Sequence, residues 1–149
     1  MTFAPVLDTS NGRITAFGTV IDAGSRADGL PSLFSTNPQT VNVEGRQVEC
    51  VFATAHGTAD RSDVDLTLRF EQDRLASAAI ALTPPRHRNL DSDAFYASVD
   101  ERYRFHERWL QAAGVPGLPA KFQWGTAGVA RDRSENVYIY LHWAPRLAK

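Results

Sequence analysis

The chain has 149 residues, 43% of them hydrophobic, 22% charged and 10% aromatic, with a formal net charge of -1. A chain of this length buries enough surface to fold without disulfides or metal, its composition excludes a disordered polymer, and its balanced charge lacks the basic excess of a nucleic-acid binder. One cysteine, Cys50, leaves no intramolecular disulfide and no Cys-based zinc cluster to form.

Residues 1–12 read as an extended arm that ends in a turn at Ser10, Asn11 and Gly12, since Asn-Gly is a strong turn signal. They show no basic region followed by an apolar core, so no secretory signal is expected. The run 13–22, RITAFGTVID, is rich in β-branched and aromatic residues and reads as a strand, or as a strand with a kink at Gly18. Ser25 can cap a short helix over 26–34, which Gly29 and Pro31 weaken or break. Asn37-Pro38 forces an extended exit.

A hairpin is expected over 39–55, turning at Glu44-Gly45, followed by a loop at 56–62, HGTADRS. Cys50 falls in a strand-like run, where an unpaired cysteine is ordinarily a small buried hydrophobe rather than a reactive thiol. The clearest alternation follows: Val64, Leu66, Leu68 and Phe70 face one way, and Asp63, Asp65, Thr67 and Arg69 the other. Residues 71–74 turn the chain into LASAAIAL, a strand whose alanines admit a closely packed neighbour such as a helix. Its helical alternative rests on alanine's propensity.

A Pro-rich linker at 83–88 leads to the longest helical pattern, 92–113. At 100° per residue, Phe95, Val99, Tyr103, His106, Trp109, Leu110 and Ala113 form one stripe, and Asp100, Glu101, Arg104, Glu107, Arg108 and Gln111 lie opposite. Asp91 and Ser92 can cap its start, and Gly114 with Pro116 ends it. A Gly/Pro-rich connection leads to two last strands, 122–130 and 136–143, joined through 131–135. Val137, Ile139, Leu141 and Trp143 share one face of the final strand; Tyr138, Tyr140 and His142 share the other. Residues 144–149 read as a tail.

The sum is an α+β fold in one domain spanning 1–149: a mainly antiparallel sheet of about six or seven strands, one long helix packed on it and one short helix. No stretch approaches the roughly 18 apolar residues of a membrane span, so no membrane partner is expected and the cytoplasm is the expected compartment.

Motifs for chemistry are sparse. The histidines at 56, 87, 106 and 142 lack metal-ligand spacing, and neither a nucleophile elbow nor a phosphate-binding glycine loop occurs, so no catalytic residue, cofactor or metal is expected. His106, within the apolar stripe, is a ligand or base on one reading. On the more ordinary reading it is a core residue donating a ring N–H to a carbonyl. Asp60, Asp63, Asp65, Glu71 and Asp73, interleaved with Arg61, Arg69 and Arg74, form an acidic neighbourhood. It is either a solvated face with cross-strand ion pairs, each contributing roughly 0.2–1 kcal/mol, or a surface that docks a basic partner. Tyr138, Tyr140 and His142 are partner anchors if exposed and core if covered.

Two stretches together carry a resemblance. One is IDAGSRADGLPSLF with the strands at 63–82; the other is RYRFHERWLQAAGVP with FQWGTAGVARDRSENVYIYLHW. Their order, from about residue 13 to residue 143, resembles the immunity proteins encoded beside polymorphic secreted toxins of bacteria, of the contact-dependent and type VI kind. The matching positions are Arg104, His106, Trp109, Leu110, Trp124, Gly125 and 137–141. The resemblance implies a non-enzymatic inhibitor that occludes the active site of a cognate toxin in the cytoplasm, without a cofactor. It implies no particular contact residue. Two other readings stand beside it. One is a small-molecule-binding domain or enzyme with a pocket between helix and sheet lined by Tyr103, His106 and Trp109. The other is a secretion chaperone or adaptor.

Overall fold

The computed structural model describes residues 5–59, 61–115 and 119–144. Two antiparallel sheets and two helices are present, the expected α+β class. The first sheet has three short strands: β1 (Val6–Asp8), β2 (Arg13–Ala16) and β3 (Thr19–Ile21). The described part of the expected arm is thus tied in by pairing of β1 with β2. The kink expected at Gly18 is a full reversal: Phe17 and Gly18 both take positive φ, 52° and 72°, the two-residue turn that matches strand twist.

The second sheet has seven strands. These are β4 (Ser35–Val43), β5 (Arg46–Ala59), β6 (Ser62–Glu71), β7 (Arg74–Thr83), β8 (Ala120–Phe122), β9 (Gly125–Arg131) and β10 (Val137–Trp143), in the order β4-β5-β6-β7-β10-β9-β8. Glu44-Gly45 and Gln72-Asp73 turn its hairpins with positive φ at both residues. Pro38 sits in β4, an edge strand, where a missing backbone donor is tolerated. Most of the loop expected at 56–62 is strand among the described residues. β5 runs through His56, Gly57 and Thr58 to Ala59, which pairs with Ser62. Gly57 is no breaker here: the ring of Phe17 occupies the space a Cβ would take. That contact seats the small sheet on the large one.

The long helical pattern divides. α1 (Ser92–Ala97) and α2 (Val99–Ala112) meet at Ser98, whose ψ is 1°. Asp91 caps α1 as expected, accepting from Ala94 N–H at 2.8 Å. At the break, the Phe95 carbonyl is taken by the Ser98 hydroxyl and by Arg102 Nη2, at 2.9 and 2.8 Å. α2 ends on Gly114 at φ 98°, with Val115 N–H bonded to Leu110 and Gly114 N–H to Gln111, the left-handed cap that glycine favours. The segment from Ser25 forms only a 3₁₀ turn, Ala27–Gly29, so α1 is the short helix. Pro116 and the tail beyond Ala144 lie outside the described residues.

One contiguous apolar core joins both sheets and α2. It includes Ile14 and Ile21 of the small sheet, Val64, Leu66, Leu68, Phe70, Ile80, Ile139 and Leu141 of the large sheet, and Leu110 of α2. The alternation in β6 and β10 therefore points as expected. α2 lies over β9 and β10. It does not lie on the alanine-rich strand in the way those alanines suggested.

Candidate functional site

The large sheet is one-sided. Residues directly opposite in an antiparallel pair share a face, so the register fixes what the side away from the core carries. One row across five strands is Phe52, Arg69, Ser77, His142 and Thr126; the next is Thr54, Thr67, Ala79, Tyr140 and Gly128. A third starts with His56, Asp65 and Ala81, and Tyr138 and Ala130 continue it. Apart from Gly128, these residues are half-buried or exposed.

Tyr138, Tyr140 and His142 thus lie together on the open face. Tyr140 spreads over Gly128, where a Cβ would overlap its ring, and its ring centroid is 5.0 Å from that of His142. Between the β6 and β10 ridges runs a trough floored by Ser77, Ala79 and Ala81 of β7.

The acidic residues are distributed differently. Asp63 and Asp65 are on the same open face, with Glu71 at its far end, and Asp73 is in the β6–β7 turn. Each has a basic neighbour. Asp65 bonds the His56 ring, Asp63 meets Arg88 at 3.0 Å, Glu71 meets Arg69 at 3.1 Å, and Asp73 meets Arg26 at 3.5 Å. This matches the solvated, ion-paired face more closely than an uncompensated acidic patch. Asp60 lies outside the described residues. Cys50 is buried, 2% exposed.

The β7–β10 ladder stops at Ile80 and Ile139, and beyond it a cavity of about 250 Å³ opens. Asp65, Ala81 and Tyr138 line it from the open face; His87, Arg102 and His106 line it from the core layer. His106 is 1% exposed and closes the gap the ladder leaves. Leu82 N–H donates to its Nε2 at 3.0 Å, and its Nδ1–H donates to the Arg102 carbonyl at 2.7 Å. Burial pushes its pKa down, against a smaller upward pull from the Arg102 carbonyl. With both ring nitrogens engaged, His106 is the core residue of the ordinary reading.

The pocket expected beneath the helix does not take the expected form. Tyr103 instead donates its hydroxyl to the Val129 carbonyl at 3.2 Å, and Trp109 lines a separate cavity with Pro5, Val6 and Leu7.

Arg102 was not legible as a site residue. It is 7% exposed, its guanidinium lies 4.0 Å from the Phe95 ring centroid, and it donates to the carbonyls of Phe95 and Glu135 and to the Ser98 hydroxyl. It thereby ties the helix break to the β9–β10 turn. In that turn, hydrogen bonds from the side chain and then the backbone of Asn136 hold the Asp132 carboxyl below the usual range. The one sequence signal for Arg102 is its spacing of four and eight residues from His106 and Leu110.

Most positions that carried the resemblance are structural. His106, Leu110 and Gly125 are buried, and Trp124 bonds the Thr9 carbonyl at 2.9 Å; Arg104 is exposed. Among the described residues no three His, Cys, Asp or Glu side chains converge on a metal position, and no helix is long and apolar enough to cross a membrane.

No protein-family model and no curated protein matches the chain. Among solved structures, the chain is similar to a chain of the one described as "Rhs1-CT in complex with cognate immunity protein RhsI1". The identity is 15%, the TM-score 0.60, and the likeness covers 94% of this chain and 87% of that one. At this identity the likeness is one of fold, and it extends over nearly the whole molecule.

Proposed function

We propose that the protein is an immunity protein: a non-enzymatic, single-domain inhibitor that binds a secreted bacterial toxin and occludes its active site. The one-sided sheet carries this reading. Five adjoining strands present tyrosine, histidine, threonine and paired charges to solvent, opposite a face consumed by the core. Such a surface combines aromatic anchors with polar groups that set orientation and partner choice. The fold it shares is that of a chain in a toxin–immunity complex. Tyr138, Tyr140, His142 and Asp65 are the proposed contact residues, with Asp63, Glu71 and Asp73 at the rim. The inhibitor acts in the cytoplasm of the toxin-producing cell, against a toxin of the type VI or contact-dependent kind. It uses neither cofactor nor metal.

The test uses the product of the adjacent open reading frame. The wild-type protein is expected to bind it in calorimetry and to protect cells that express it. Tyr138→Ala and His142→Ala are each expected to weaken binding by about tenfold or more. Absence of both binding and protection overturns the reading. Binding that leaves toxin activity intact indicates a secretion adaptor instead.

A further inference from the structure

Resting on that reading, we infer that the cavity between the ends of β7 and β10 receives one uncharged, hydrogen-bond-donating side chain of the bound toxin, with His87 Nδ1 as its acceptor. The trough of Ser77, Ala79 and Ala81 leads along the open face to the cavity, where Ala81 forms part of the lining with Asp65 and Tyr138. About 250 Å³ of space there has room for a single side chain.

His87 supplies the second observation. Its side chain is 4% exposed, it lines the cavity, and its Nδ1 has no hydrogen-bond partner. Glu101 Oε1 lies 3.4 Å from Nε2. A carboxylate only accepts, so Nε2 is the nitrogen whose proton faces Glu101, and it is at Nδ1 that the neutral ring presents its lone pair. A buried acceptor with no donor is a cost that a donor from outside removes. The other polar groups of the core wall are already engaged, Arg102 on the carbonyls of Phe95 and Glu135, His106 on Leu82 and Arg102.

Charge argues for a neutral occupant. Of the charged residues that line the cavity, Asp65 bonds the His56 ring and Arg102 is held by the Phe95 and Glu135 carbonyls, and behind His87 Glu101 is paired with Arg86, whose Nε is 2.6 Å from its Oε1. A further buried charge would have no counter-ion and would be strongly disfavoured. An amide or phenol side chain satisfies the lone pair without adding one.

The test again uses the product of the neighbouring gene, with calorimetry and ¹⁵N NMR of the histidine rings. His87→Phe keeps the ring and removes the lone pair. It is expected to weaken binding about three- to tenfold while leaving the free protein as stable as the wild type or more so. Ala81→Trp, which closes the mouth from the open face, is expected to weaken binding more than tenfold. On complex formation the wild-type His87 Nδ1 resonance is expected to move in the direction of a hydrogen-bonded nitrogen.

If the wild-type protein does not bind the toxin, the toxin reading and this inference fall together. If the wild type binds, an unshifted Nδ1 resonance and unchanged affinity for both variants overturn the inference alone, with solvent as the occupant. A double-mutant cycle that couples His87 to a charged toxin residue overturns the neutral chemistry.

Discussion

His106 shows how a polar side chain comes to serve the core. Its ring repairs a strand gap on one side and bonds the Arg102 carbonyl on the other, and the bond accepted from Leu82 N–H requires the neutral ring. His106→Phe strands Leu82 N–H, and is expected to cost roughly 1–3 kcal/mol in urea unfolding. The pH dependence follows from the direction of the shift. Burial lowers the folded-state pKa below the unfolded value, so the unfolded chain takes up the proton first. The contribution is therefore complete above about pH 6.5 and declines on acidification, by at most about 1.4 kcal/mol per pH unit. Denaturant midpoints between pH 7.5 and 5 are expected to fall in the wild type and to lose this component in His106→Phe. The depressed carboxyls of Asp8, Glu101 and Asp132 act at lower pH, losing their contribution as pH falls from about 4. The core role of His106 was legible because it lies in the apolar stripe. That of Arg102 was not: its guanidinium is satisfied by carbonyls that the helix break and a distant turn expose, and spacing along one helix does not report these.

At the scale of elements, local patterns were read well where alternation or capping governs. The β6 register, both tight hairpins and both ends of the helical segment follow from their own residues. The readings fail where a distant side chain decides. Gly57 reads as a loop residue, yet it is strand because Phe17, forty positions earlier, needs the space. Gly57→Val is accordingly expected to destabilise the protein by about 1–3 kcal/mol, the usual range for overpacking. Phe17→Ala introduced together with it should recover part of that loss, since contacting sites are not additive. Equal denaturant midpoints for the single and double variants would show that the two side chains do not compete. The helix break at Ser98 belongs with these cases: propensity runs through it, and the hydroxyl and Arg102 compete for the Phe95 carbonyl.

Over the whole molecule, fold class and the two faces of the final strand were legible, because each strand declares which of its sides is apolar. Which residues come together on the open side was not, since that depends on β10 inserting beside β7 across two helices and two strands. This insertion divides the sheet by sequence as well as by space. β4–β7 come from residues 35–83, while β8–β10 and both helices come from 92–143, and the two groups meet in the large sheet through only four residue pairs, Ile80–Ile139 to Ser77–His142. A polypeptide severed after the exposed Asn89, in the crossing between them, would leave each piece with a bare edge and half an interior. The two are expected to be insoluble when made singly and to reconstitute when co-expressed, as native gel mobility or a split reporter would show. The protein is in this sense a natural pair of complementing fragments held by one tether.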